Sequence, residues 1–272
     1  MVRAAVIQMS SQSDVEENLR LADGLLEDAA ADGCILAVLP ENFALMPEKG
    51  RDKARHAEQP GSGPIQDFLS HAAWRHSIWI IAGSIPLASP DEDRVYGGCP
   101  VYDPKGRQRV MYRKIHLFDV KLPDREESYQ ESWSMYPGDE RATVDTPVGR
   151  IGLTICYDLR FPELFRALVD DGATVFTVPA AFTRATGEAH WNTLLRARAI
   201  ENLAYVLAPG QTGEHPDNRS TWGHSVIVDP WGRVLAELAD GDGFIAADID
   251  PELPGRIRSE FPALSNRRLQ SQ

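Results

Sequence analysis

The stretch TPVGRIGLTICYDLRFPEL, residues 146–164, decides the fold class of this chain. Its apolar part, residues 149–156, predicts a buried strand that ends at Cys156, and Pro162 suits the first turn of a following helix. A strand–turn–helix arrangement presents the residue at the turn at the edge of a sheet. Cys156 is therefore a candidate nucleophile, with the backbone N–H of Tyr157 facing an oxyanion. The alternative is a structural cysteine, because free cysteine is among the most often buried residues.

Outside this stretch, short apolar runs alternate with helical patterns along the chain. Helices are predicted at residues 15–31, 65–76 and 189–202 and from Pro162, and strands at residues 3–8, 34–40, 78–85, 99–103, 109–114, 149–156, 174–180, 204–210, 223–232 and 244–250. Alternation of this kind predicts an α/β fold with helices outside and sheets inside. We find no internal repeat and no obvious linker, so we expect a single domain over residues 1–272.

The composition narrows the classes of function. The formal net charge is -12, and no run rich in lysine or arginine interrupts it, which argues against nucleic acid and anionic membranes as partners. The amino-terminal segment lacks the apolar core of a secretory signal, and no stretch reaches the length of a transmembrane helix. The three cysteines, Cys34, Cys99 and Cys156, form no CxxC pair. We therefore expect reduced thiols and a cytoplasmic location.

Amide hydrolysis by a thiol needs a group that moves protons and a positive group that meets the oxyanion. Glu41 follows the predicted strand 34–40, and Lys114 ends the predicted strand 109–114. Because parallel strands gather functional groups at their carboxyl ends, both side chains could converge on Cys156. Taken singly, a glutamate after a strand is usually a helix cap or a solvated charge, and a lone lysine is usually on the surface.

Taken together, these segments resemble the nitrilase superfamily of carbon–nitrogen hydrolases. PEN around Glu41, RKIHLFD around Lys114 and ICYDLRFPE around Cys156 follow the order of the superfamily's Glu–Lys–Cys triad. The resemblance covers nearly the whole chain and includes GSIP (83–86), YQES (129–132), AFTRATGEAHW (181–191), RARAIEN (196–202) and GHSVIVDPWG (223–232). It implies a four-layer α–β–β–α sandwich and a reaction that needs no cofactor. It also implies pairing through helices around the nucleophile, into a homodimer or a higher homo-oligomer.

The resemblance also implies roles for individual residues. Glu41 matches the general base and acid, and Lys114 matches the lysine that stabilises the oxyanion together with the N–H of Tyr157. Glu131, in YQES, matches a second glutamate beside the lysine and the scissile amide. Cys156 forms an acyl-thioester that water releases, and the nitrogen leaves as ammonia. A nearby ammonium is expected to lower the pKa of the thiol.

The substrate is indicated by the segments TGEAHW and LLRARAIEN, which look most like the Nit branch of the superfamily. Members of this branch resemble deaminated-glutathione amidase and the ω-amidases, whose substrates carry carboxylates, so a basic residue should face one. Arg160 matches a carboxylate-binding arginine of related N-carbamoylases, and a structural salt bridge is its alternative role. Arg184 is a second candidate, and Phe182 and Thr183 in the same loop are expected to shape the pocket.

Two features leave the substrate open. Gly97 stands where many members have an asparagine, and the segment 124–132 is unusually acidic for a loop near an anionic substrate. His116, His190 and His224 lie in different predicted elements without the spacing of metal ligands, so no metal site is expected.

Several functions therefore remain open. A deaminated-glutathione amidase-like hydrolase is expected first, with an ω-amidase for 2-oxo acid amides and an N-carbamoyl or other amide hydrolase as alternatives. Some relatives use the same triad to transfer an acyl group to an amine. A binding protein that kept the fold is the non-enzyme alternative, and the intact set of Glu41, Lys114, Glu131 and Cys156 argues against it.

Overall fold

The computed structural model describes residues 1–121 and 128–269, which form helices and β-sheets. The strands in these residues are β1 (Val2–Gln8), β2 (Leu36–Val38), β3 (Trp79–Ile81), β4 (Ile85–Ala88), β5 (Val95–Tyr102), β6 (Gln108–Arg113), β7 (Asp119–Lys121), β8 (Ser128–Gln130), β9 (Thr143–Thr146), β10 (Gly149–Leu153), β11 (Val175–Thr177), β12 (Tyr205–Ala208), β13 (Thr212–His215), β14 (Arg219–Trp222), β15 (Ser225–Val228), β16 (Val234–Leu238) and β17 (Gly243–Ile249). The α-helices are α1 (Val15–Ala31), α2 (Pro64–His76), α3 (Pro162–Asp170), α4 (Arg184–Asn202) and α5 (Leu253–Glu260). Short 3₁₀-helices occupy Gly50–His56, Glu131–Trp133, Cys156–Arg160 and Pro216–Asn218.

Two large sheets carry the architecture. The first has the order β17-β1-β2-β3-β5-β4, with β6 also paired to β5, and the second has the order β16-β15-β12-β11-β10-β9. Strands β1 to β3 run parallel, as do β10 to β12. Because β5 is antiparallel to both β3 and β6, strand β6 runs in the same direction as β2. The carboxyl ends of β2 and β6 therefore lie at the same edge of the first sheet.

The side chains of β1 show how the layers form. Ala4 and Val6 belong to the apolar core shared by the two sheets, whereas Ala5 and Ile7 belong to a second core with helices α1 and α2. Helices α3 and α4 pack on the other face of the second sheet, and their Phe165 and Leu195 belong to the same continuous apolar cluster as Ala4 and Val6. This alternation follows from the two-residue period of a strand. It confirms the four-layer α–β–β–α sandwich.

Helix α1 has the predicted bounds, and helix α4 is longer than predicted. The carboxylate of Asp14 accepts the N–H of Glu17 at 3.0 Å and caps the first turn of α1. In α4 the cap is Thr183, whose hydroxyl accepts the N–H of Thr186 at 3.4 Å. The helix therefore starts at Arg184, before the predicted start at residue 189.

Six of the predicted strands are shorter in the structure, and two of these have a clear cause. The predicted strand 78–85 is broken at Gly83, which has φ +62°, and a Cβ there would lie 2.0 Å from the carbonyl oxygen of Pro40. The predicted strand 149–156 ends at Leu153, and a turn of 3₁₀-helix begins at Cys156. Among the described residues, no helix is long and apolar enough to cross a bilayer.

Candidate active site

Cys156 lies at the turn between the second sheet and helix α3, in a strained backbone conformation. Its φ is +47°, a left-handed value that is uncommon for residues other than glycine. Its N–H donates to the carbonyl oxygen of Pro179 at 2.8 Å. The neighbouring N–H of Ile155 donates to a carboxylate oxygen of Asp158 at 2.8 Å. These contacts hold the turn in the conformation that directs the thiol toward the sheet edges.

Asp158 also ties this turn to the end of strand β6. Its fully buried carboxylate accepts the hydroxyl of Tyr112 at 2.7 Å and the N–H of His116 at 3.1 Å. The Nδ1 atom of His116 lies 2.7 Å from the same carboxylate, and the imidazole stacks on Phe161 at 3.6 Å. Since Tyr112 and His116 flank Lys114, this network fixes the position of Lys114 relative to Cys156.

Lys114 lies between two glutamates in the interior. Its Nζ donates to Oε1 of Glu41 at 2.8 Å and to both carboxylate oxygens of Glu131, at 2.8 and 2.9 Å. Lys114 is 2% exposed and Glu41 is 5% exposed, so water screens this pair weakly. The structure therefore brings together Glu41, Lys114, Glu131 and Cys156, which lie far apart in the sequence.

The protonation states follow from these contacts. Burial opposes the charge of Glu41, but the neighbouring Lys114 ammonium outweighs burial and holds the pKa of Glu41 below its ordinary value. Burial likewise opposes the charge of Lys114, and the carboxylates of Glu131 and Glu41 raise its pKa well above the ordinary value. At neutral pH Glu41 is therefore ionised and Lys114 is charged.

The sequence predicted that a nearby lysine lowers the pKa of the Cys156 thiol, and the structure shows the opposite direction. Burial is the largest influence, and with the negative charge of Glu41 it raises the pKa of Cys156 well above the ordinary value. Lys114 acts in the lowering direction and does not overcome these two effects. The resting thiol is therefore protonated, and it needs a base at the moment it reacts.

Two backbone N–H groups and one side-chain amide complete the cluster, and the sequence did not predict them. The N–H of Ala181 donates to Oε2 of Glu41 at 2.9 Å, and the N–H of Phe118 donates to Oε2 of Glu131 at 2.6 Å. The buried amide of Gln211 donates to the carbonyl oxygen of Glu41 at 3.0 Å. Gln211 follows strand β12, so its place at a carboxyl strand end is the signal that could have identified it.

These groups open onto a cavity of about 590 Å³, which is large enough for a small molecule. Its described wall includes the catalytic candidates together with Tyr157, Phe182 and Thr183. Five of the wall residues are basic (Lys49, Arg51, Lys53, Lys114 and Arg219) and two are acidic (Glu41 and Glu131). A chain with a net charge of -12 therefore concentrates positive charge around this cavity.

The two predicted carboxylate-binding arginines lie off the described wall. The guanidinium of Arg160 lies 5.9 Å from the ring centre of Tyr157 and 5.5 Å from that of Phe182, and it is 3.3 Å from Nδ1 of His190. Arg184 is exposed at the first position of helix α4. Arg160 thus lies beside two wall residues, and its carboxylate-binding role stays a prediction.

Gly97 and the acidic segment both lie beside the cluster. The carbonyl oxygen of Gly97 accepts the N–H of Lys114 at 2.9 Å, and a Cβ at position 97 would lie 2.9 Å from the methyl carbon of Met135. Residues 124–127 of the acidic segment lie outside the described residues. In the part that is described, Glu131 is bound by Lys114, so its charge is compensated.

A metal site was not expected from the sequence. Within residues 1–121 and 128–269, no cluster of three or more histidine, cysteine, aspartate or glutamate side chains could hold a metal ion.

Comparisons with known proteins identify the family. The model of the carbon–nitrogen hydrolase family matches residues 3–259. Deaminated glutathione amidase of Yersinia enterocolitica is 40% identical over 268 residues, which is 98% of this chain and 93% of that protein. Two crystal structures are similar: the NitFhit protein of C. elegans (TM-score 0.92, 38% identity, 98% of this chain and 65% of that chain) and Nit3 of Saccharomyces cerevisiae, a member of branch 10 of the nitrilase superfamily (TM-score 0.87, 32% identity, 98% and 97%). This chain belongs to the carbon–nitrogen hydrolase family and is an enzyme of the amidase type.

Proposed function

We propose that this enzyme hydrolyses an amide bond in a small carboxylated substrate of the deaminated-glutathione type. The observation that carries the proposal is the cavity, in which a thiol beside a Lys–Glu ion pair opens onto a wall with an excess of basic residues. Cationic walls attract anionic substrates and bind their carboxylates through charge-assisted hydrogen bonds. The name of the relative from Yersinia enterocolitica supports the same class of substrate.

The first half of the reaction forms a thioester. Glu41 takes the proton of the Cys156 thiol as the sulfur bonds to the carbonyl carbon of the amide. The carbonyl oxygen becomes an oxyanion that receives hydrogen bonds from Nζ of Lys114 and the N–H of Tyr157. Glu41 then gives its proton to the amide nitrogen, and the C–N bond breaks. The nitrogen leaves as ammonia from a primary amide or as an amine from a substituted one.

The second half hydrolyses the thioester. Glu41 takes a proton from a water molecule, whose oxygen bonds to the acyl carbon and restores the oxyanion. The C–S bond then breaks, the carboxylic product forms, and the thiolate of Cys156 regains a proton from Glu41. The lowered pKa of Glu41 suits this cycle, because the carboxylate is ionised before each step in which it acts as a base.

Glu131 and the wall residues have positioning and binding roles in this proposal. Glu131 binds Lys114 with both oxygens and thereby holds the ammonium charged and in place. Phe182 and Thr183 line the cavity beside the thiol and contact the acyl part of the substrate. The carboxylate-binding role of Arg160 and Arg184 stays a prediction, since neither side chain lies on the described wall.

We further propose that the enzyme works in the cytoplasm as a homodimer. Cys34, Cys99 and Cys156 are all free, which suits a reducing compartment. Ile200 on helix α4 is 49% exposed and Trp231 is 52% exposed, and apolar side chains of this size favour an interface. The pairing of family members through helices near the nucleophile supports the same arrangement.

A comparison of substrates tests the proposed function. Deaminated glutathione, 2-oxoglutaramate and an N-carbamoyl amino acid are supplied in parallel, and release of ammonia and of new amino groups is measured. We expect kcat/KM to be highest for deaminated glutathione, by about tenfold or more, which corresponds to about 1.4 kcal/mol of transition-state binding. A higher value for 2-oxoglutaramate would make the enzyme an ω-amidase, and Cys156→Ala is the inactive control.

Selective alkylation tests the nucleophile. Burial raises the pKa of Cys34 to about 11 and that of Cys99 to about 12, and neither thiol lies on the cavity wall. Cys156 lines the cavity beside a base, so iodoacetamide should modify it at least about tenfold faster, as read by peptide mass spectrometry. Cys34→Ala and Cys99→Ala should keep most of the activity. Faster labelling of Cys34 or Cys99, with an active Cys156→Ala variant, contradicts the assignment.

Sedimentation equilibrium tests the assembly. The chain has a mass of 30.1 kDa, so the proposed homodimer gives twice that mass at micromolar concentration. Trp231→Glu places a charge at the exposed apolar surface and should shift the equilibrium toward monomer. A monomeric mass for the unaltered protein across the accessible concentrations rules out the dimer.

A further inference from the structure

Lys53 is a second buried ammonium on the cavity wall, supplied by the 3₁₀-helix Gly50–His56. It is 9% exposed, and its Nζ donates to Oδ1 of Asn42 at 2.8 Å. Its other close contact is the thioether sulfur of Met135 at 3.8 Å, which is a weak acceptor. An ammonium has three N–H donors, and the described residues supply one strong acceptor for them.

The surroundings of Lys53 contrast with those of Lys114. Lys114 is bound by two carboxylates, whereas no carboxylate in the described residues lies within ion-pair distance of Lys53. A buried charge without an ion-pair partner is costly, and proteins rarely keep one without a functional reason. Burial is the largest influence on the pKa of Lys53 and lowers it, with Glu131 and Glu41 acting in the opposite direction.

Gly97, which has no side chain, helps to form this site. Gly97 leaves room for Met135, whose methyl carbon occupies the space that a Cβ would need. The sulfur of Met135 in turn lies against Nζ of Lys53. The soft thioether covers one side of the ammonium, and the side that remains belongs to the cavity wall. Gly97, which stands where many family members have an asparagine, and Lys53 are therefore linked through Met135.

We propose that Lys53 binds a carboxylate of the substrate and makes the enzyme selective for anionic amides. The inference rests on the proposed function and specifies how its substrate is recognised. A carboxylate at Nζ supplies strong acceptors and a directly bound negative charge, which the described residues do not provide at Lys53. Arg51 and Arg219 lie on the same wall and extend the positive surface toward solvent. A substrate with carboxylates at both ends can then use Lys53 for one of them.

The alternative role for Lys53 is electrostatic support of the catalytic cluster. The carboxylates of Glu41 and Glu131 exceed the single charge of Lys114, and a second ammonium nearby offsets that excess. In that role Lys53 would affect the reaction of every amide equally. In the proposed role it affects only substrates that carry the carboxylate, so the two roles predict different kinetics.

The experiment compares Lys53→Met with unaltered enzyme on three substrates. These are deaminated glutathione and two analogues, in each of which one carboxylate is replaced by a neutral hydroxymethyl group. We expect Lys53→Met to raise KM for deaminated glutathione by about 10- to 100-fold and to change kcat by less than about twofold. For the analogue that lacks the bound carboxylate, the two enzymes should have the same KM. Lys53→Arg should keep part of the selectivity.

Arg55→Met is the matched control, because Arg55 lies on the same 3₁₀-helix, is 82% exposed and is absent from the described wall. It should leave all three KM values unchanged. Equal loss of kcat on all substrates, or an unchanged KM for Lys53→Met, overturns the proposal. If Lys53→Met unfolds, as judged by circular dichroism, Lys53→Gln gives the same comparison. If unaltered enzyme cleaves another carboxylated amide better than deaminated glutathione, the substrate assignment is wrong. The comparison of Lys53→Met is then made with that amide and its hydroxymethyl analogue, so the role of Lys53 is tested independently.

Discussion

The buried ion cluster around Lys114 is the interaction on which the rest of the site depends. An ammonium that is 2% exposed persists only with compensating charge, and Glu41 and Glu131 provide it. These three residues come from the end of β2, the end of β6 and a 3₁₀-helix, so the requirement for charge balance fixes three segments relative to one another. The same contacts set the protonation states that hydrolysis needs, with Glu41 ionised and Lys114 charged. The same ion pairs therefore hold the three segments together and set the charges of Glu41 and Lys114.

The turn at Cys156 supplies the remaining requirement, which is a protonated thiol next to a base. Its left-handed backbone is held by the buried carboxylate of Asp158, which binds both the turn and the segment that carries Lys114. Because burial raises the pKa of the thiol, the proposed mechanism needs Glu41 to accept the proton of Cys156 before the sulfur can act as a nucleophile. A thiol of this kind should react with small electrophiles that enter the cavity, where Glu41 is placed to accept its proton.

The sequence was informative where a pattern has a single physical cause. Helix α1 has its predicted bounds because its start is set locally, by the cap at Asp14, and the apolar run before Cys156 located the turn. The break at Gly83 was missed because it arises from the close approach of a backbone carbonyl in another segment. Its cause lies outside the local sequence.

The candidate site also has residues that the sequence predicted and features that it did not. The three charged or nucleophilic residues of the triad were predictable from their motifs, and the structure brings them together. Lys53 was not predicted, because the polar segment around it has no periodicity and its burial depends on Met135 and on Gly97. The net direction of the thiol pKa was also not predictable, because it depends on how deeply the fold buries Cys156. Contacts between distant segments determine both features.

The central claim is that Cys156 forms a thioester and that Glu41 is the base needed to release it. Intact-protein mass spectrometry of Glu41→Gln, after mixing with deaminated glutathione, tests this claim most directly. Turnover should fall by about 10²–10⁴-fold, and the intact protein should carry an added mass equal to the acyl group. Peptide mapping should locate that mass on Cys156, and Cys156→Ala in the same background should show none. Turnover near that of the unaltered enzyme, with Glu131→Gln inactive instead, would contradict the account and move the acid–base role to Glu131.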